Sequence, residues 1–105
     1  MEVRVLCIDD SKRPDIIPIT QWVKKDVKYN VIHVATSTNE NSKNVLMFTL
    51  AELDISEFEP YGAFRADRFA IHEDDLELLK KLAKLCTELN DVNIEELTRQ
   101  LETVD

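Results

Sequence analysis

The sequence predicts an α+β chain, mainly β: a small antiparallel barrel or rolled sheet over residues 1–72, then an acidic helical extension over 73–105. Three observations carry this. Short β-branched and aromatic runs follow one another from Val3 to Ile71 with no helical period between them. The stretch from Ile19 to Val34, ITQWVKKDVKYNVIHV, reads as an aromatic anchor, a charged turn and a strand alternating between two faces. From Asp74 onward the apolar spacing turns helical.

Taken in order, Val3 to Ile8 is the first strand, and it ends at Asp9-Asp10-Ser11. Pro14 and Pro18 then remove amide donors and disfavour helix in the residues before them, so this stretch is an extended loop folded back by Ile16 and Ile17. Trp22 and the polar turn Lys24-Lys25-Asp26 lead into a strand whose faces are Val27, Tyr29, Val31, His33 and Lys28, Asn30, Ile32, Val34. Residues 36–44 are polar and without glycine, which predicts a hairpin loop of several residues rather than a two-residue turn. Its partner strand runs from Asn44 to Leu53, and Asp54 to Ala66 is irregular. Arg68 to Ile71 is a last short strand; such an unbroken series of strands favours a rolled antiparallel sheet.

In the extension, Leu78, Leu79, Leu82, Leu85, Cys86 and Leu89 mark one helix face, with Asp74 and Glu77 as its capping box. Asn93 with Glu96 caps a second helix carrying Ile94, Leu97, Leu101 and Val104. A helix of about 12 residues is marginal alone in water, so the extension must pack on the barrel or on a partner chain.

The charge is uneven. The net charge is −8, and residues 72–105 hold 4 basic against 10 acidic residues, whereas 1–71 hold 9 against 11. Acidity on this scale disfavours nucleic acid. No apolar run approaches the roughly 20 residues of a membrane helix, and the opening MEVRVLCIDD has no secretory pattern. Cys7 and Cys86 sit in apolar patterns, which predicts reduced, buried thiols and a cytoplasmic location.

No residue set predicts catalysis, a metal or a cofactor. Neither CxxC nor HxxxH occurs around His33 and His72, and the single glycine, Gly62, excludes a phosphate-cradling loop. Asp9, Asp10 and Asp54 are the exception to weigh. An acidic pair after a first strand and a third carboxylate further on is the magnesium-binding arrangement of phosphoacceptor receiver domains. Pro14 and Pro18 break the first helix such a domain needs. Lys24, Lys25 and Lys28 beside Trp22 and Tyr29 form a basic-aromatic cluster of the kind that binds single strands. Trp22, Tyr29, Phe58, Tyr61, Phe64 and Phe69 suffice for much of a small core, with Tyr61 and Phe64 expected to be the most exposed.

The segments VRVLCIDDS, RPDIIP, WVKKDVKYNVIHV and YGAFRADRFAI, in that order, resemble small uncharacterised proteins of Bacteroides-group bacteria and their phages or mobile elements. The resemblance spans roughly residues 3–71, and Asp26 stands where that pattern has a turn glycine. It implies an SH3-like barrel and supplies no activity. The resulting expectation is a non-enzymatic protein-interaction module, phage- or mobile-element-related. It would engage an unidentified protein through Trp22, Lys24, Lys25, Tyr61 and Phe64, or form a homodimer through the helical tail. The alternatives are a degenerate receiver using the acidic triad and a small-barrel nucleic-acid binder.

Overall fold

The computed structural model describes residues 3–38, 44–58, 62–86 and 101–104. Strand β1 (Arg4–Cys7) buries Val3, Val5 and Cys7 on one side and exposes Arg4. It lies between β2 (Lys28–Thr38) and β5 (Phe69–His72), antiparallel to both, with Val5 opposite Tyr29 on one side and Ile71 on the other. Strand β3 (Asn44–Leu50) pairs with β2, and the two-residue β4 (Phe64–Arg65) pairs with β3. A last strand, β6 (Glu102–Val104), runs parallel to β5. The order is β4-β3-β2-β1-β5-β6. Its first five members form an antiparallel sheet with one helix after it, so the chain is mainly β and α+β, as expected. Among the described residues no ladder joins β4 to β6, so the sheet is not closed.

Two elements depart from the sequence pattern for identifiable reasons. Strand β2 carries an irregularity between Val31 and His33, where two residues oppose one on β3. Because side chains alternate with period two, one extra residue swaps the faces. Tyr29 and Val31 are buried before the bulge and Val34 after it, while Ile32 is 56 % exposed and His33 turns outward. Where the two strands part, the Glu52 carboxylate accepts from the Asn30 backbone N–H at 2.9 Å and from Asn30 Nδ2 at 2.9 Å, and Ala51 N–H donates to the Asn30 carbonyl. Strand β2 also runs on to Thr38, through part of the expected loop; residues 39–43 lie outside the described residues.

The extension is the second departure. Helix α1 (Glu73–Leu85) starts earlier than the Asp74 cap predicts, because His72 Nδ1 accepts from the Asp74 N–H at 3.1 Å. Glu73, Asp74 and Asp75 then occupy the first turn, where the helix dipole favours negative charge. Leu79 and Ala83 are fully buried in the same apolar cluster as Val5, Phe48 and Phe69, with Leu76, Leu78 and Leu82 packed against it. Leu85, expected on the buried face, is 71 % exposed. The second helix expected from Asn93 is corrected at its end: Glu102–Val104 is a strand, and residues 93–100 lie outside the described residues. The reason is tertiary. The outer edge of β5 needs partners for its backbone groups, and β6 supplies them while burying Leu101. The leucine stripe of α1 therefore packs on its own chain. Cys7 and Cys86 are both buried and unbridged, and burial pushes the Cys7 thiol pKa up.

Candidate binding cleft

The loop from Asp9 to Val27 joins β1 to β2 and is tied down by short-range polar geometry. Ser11 donates from its N–H (2.9 Å) and its hydroxyl (2.5 Å) to Asp9 Oδ1, closing a local turn. Asp10 clamps the far side of the loop: its carbonyl accepts from Trp22 Nε1 at 2.8 Å and its carboxylate from the Lys25 N–H at 3.0 Å. Arg13 donates to the Ile17 carbonyl, and the buried Ile17 side chain anchors the proline-flanked segment. Tyr29, buried on β2, accepts the Lys24 N–H at its hydroxyl (2.9 Å).

Arg68 links this loop to the sheet. Its carbonyl accepts from the Ile8 and Asp9 N–H groups at 2.8 and 3.2 Å. Its guanidinium donates to the Ser11 and Asp9 carbonyls at 2.7 and 3.3 Å, lies 3.8 Å from the Asp9 carboxylate and sits over the Trp22 ring. With its side chain only 13 % exposed, the charge is sunk and satisfied by carbonyls and a ring face. Trp22 in turn meets Phe64 with ring centres 5.3 Å apart, tilted by 54°.

A cleft of about 310 Å³ opens between this loop, β3 and β4. Trp22, Phe64, Met47 and Ile55 supply its apolar lining. Lys12, Arg65 and Arg68 also line it, and no carboxylate does among the described residues. Arg65 is paired with Asp67 at 2.7 Å, both side chains 51 % exposed, a surface pair worth about 0–1 kcal/mol. Lys12 is exposed, makes no hydrogen bond or ion pair with another described residue, and holds a left-handed backbone conformation with φ 60°.

The structure brings two of the expected interaction residues together, Trp22 and Phe64, and corrects their exposure. Phe64, which the irregular stretch marks for partial exposure, is instead placed in the core at 2 % exposure by pairing of β4 with β3, and Trp22 is 7 % exposed. Both line the cleft while exposing little area. Lys24 and Lys25 are exposed but do not line it, and Tyr61 lies outside the described residues. Trp22 and Tyr29 turn inward, so the lysine turn has no aromatic platform from either of them for a stacked base. The residues missed by sequence reading are Lys12, Arg65, Met47, Ile55 and Arg68. They come from four separate stretches: charge density marked Lys12, Arg65 and Arg68, while Met47 and Ile55 read only as apolar residues of a strand and an irregular segment.

The acidic triad is not assembled. Asp9 and Asp54 each cap a separate turn by the same device, since Ser56 donates its N–H (2.9 Å) and hydroxyl (2.6 Å) to Asp54 Oδ1. Hydrogen bonding by Ser11 and by Ser56, hydroxyl first and N–H second, holds each carboxyl below its ordinary pKa. Among the described residues no three His, Cys, Asp or Glu side chains gather at metal-binding distance. A receiver domain is built on a doubly wound parallel sheet, whereas β1 here is flanked by antiparallel strands. No helix among the described residues is long and apolar enough to cross a membrane. Compared with known proteins, the chain matches no family model, no curated protein and no solved structure.

Proposed function

We propose that this protein is a non-enzymatic interaction module that takes a segment of a protein partner into the cleft between the Asp9–Val27 loop, β3 and β4. One observation carries the reading: an apolar recess lined by Trp22, Phe64, Met47 and Ile55 stands beside three cations, with no nucleophile, base or metal set among its described lining residues. Such a recess binds by burial and charge rather than by chemistry. The bulged β2, whose two halves pair with different neighbours, supports reading the sheet as an SH3-like roll that presents its β1–β2 loop beside β4.

The test is selection of random octapeptides displayed on phage against the full chain, followed by reselection on Ile55→Glu, which places a charge in the recess. Enriched clones that fail on the variant support the reading. No enrichment, or clones indifferent to Ile55→Glu, reject it. Retention of the native Trp22 emission confirms that the variant is folded.

A further inference from the structure

We infer that the cleft selects an acidic peptide segment, one apolar side chain flanked by Asp or Glu, and this rests on the interaction reading above. The size limits the anchor. A recess of about 310 Å³ lies at the low end of ligand sites and takes one or two side chains.

The charges decide what flanks it. The chain carries a net −8, yet among the described residues the titratable lining of this recess is Lys12, Arg65 and Arg68. The three cations have different duties. Arg68 is spent on the Asp9 and Ser11 carbonyls and on the Trp22 ring, so it positions the wall and adds a fixed positive field. Arg65 is held only by Asp67, in a half-exposed pair that an incoming carboxylate can replace at little loss, and its guanidinium keeps further donors. Lys12 is exposed and, among the described residues, acts on Asp9 only at long range without a hydrogen bond or ion pair. A left-handed backbone is unfavourable for lysine, where glycine or asparagine would adopt it more readily. The Asp9–Ser11 turn immediately before it nevertheless holds it there, at the recess.

A carboxylate bridging Lys12 and Arg65, with the adjoining aliphatic or aromatic side chain against Ile55, Met47 and Phe64, meets the two exposed cations and the apolar lining of the site together. Phosphate backbones share the charge but not the apolar anchor, and the inward-turned Trp22 offers a base no open face.

The octapeptides selected on the full chain read this directly: the enriched set is expected to be acidic around one large apolar residue. Enrichment of neutral or basic sequences overturns the inference and leaves the interaction module standing, whereas no enrichment removes both. A defined probe, fluorescein-SEELFEES, is then measured by anisotropy beside SKKLFKKS and SEEGGEES. The first is expected to bind at least tenfold tighter than either of the others, and Lys12→Gln and Arg65→Gln are each expected to weaken it about fivefold, the effect of losing one charge pair. Affinity independent of peptide charge, or unchanged in both variants, overturns the assignment. Displacement of the probe by oligothymidylate at equal concentration assigns the cations to phosphate and overturns it too. Self-association of the chain that the probe reverses gives the cleft to a second copy and likewise overturns it.

Discussion

The guanidinium carbon of Arg68 stands 4.9 Å from the centre of the Trp22 ring, and the same guanidinium holds the Ser11 carbonyl at 2.7 Å. One side chain after β4 thus fixes both ends of the loop that forms a wall of the cleft. Replacing it removes a cation–π contact and charge-assisted hydrogen bonds together.

Arg68→Ala is expected to destabilise the chain by about 2–5 kcal/mol, from about 0.5–2 for the ring contact and about 1.5–3 for the carbonyl bonds. Urea unfolding followed by the emission of Trp22, the single tryptophan, measures it. Arg68→Lys should recover only part, because an ammonium lacks the planar fork that spans two carbonyls while lying on a ring. A loss below about 0.5 kcal/mol in the alanine variant would contradict this account.

Acid should loosen the turn at Asp9. Its carboxyl is held below the usual value chiefly by the Ser11 hydroxyl and then by the Ser11 N–H. A depressed folded pKa contributes stability that is complete above the unfolded value of about 3.9 and is lost as pH falls through the lower folded value. NMR titration of the carboxyl resonances should therefore place Asp9 and Asp54 below ordinary aspartates. Ser11→Ala and Ser56→Ala should each raise the midpoint of their own partner and leave the other where it was. Wild-type midpoints at the ordinary value would refute the assignment.

Helix α1 is part of the core rather than an appendage, so it cannot be removed cleanly. Leu79→Ala should cost about 2–5 kcal/mol, as for other fully buried leucines. A chain ending at His72 loses Leu79, Ala83, Cys86 and Leu101 from the apolar cluster and should show no cooperative unfolding transition by circular dichroism. A sharp transition in that shortened chain would mean that the sheet is stable alone.

Much of the strand content was legible because strand signals are local. A β-branched run located β1, alternation the first half of β2 and the hairpin pattern β3, while the prolines argued against a long helix before Trp22, where only the short 3-10 turn Ile19–Gln21 forms. The turn before β2 was legible as a turn but not its backbone: Asp26 adopts φ 71°, a conformation that aspartate tolerates better than most residues. The cleft was legible only in fragments. Trp22 and Phe64 stood out as aromatics, but their burial depends on β4 reaching Met47 and Phe48 of β3. Lys12 and Arg65 looked like ordinary surface charges until the fold set them at one recess.

By itself the sequence determined the chain's class: a mainly β body, a helix after it and an acidic balance. Tertiary structure alone decided where the faces change and what the tail becomes. The bulge after Val31 moves Ile32 and His33 outward, and the edge of β5 draws Glu102–Val104 out of helical register into a strand. Both are settlements of backbone hydrogen bonding between segments distant in sequence, and a pattern of side chains along one segment carries no record of the partner it will meet.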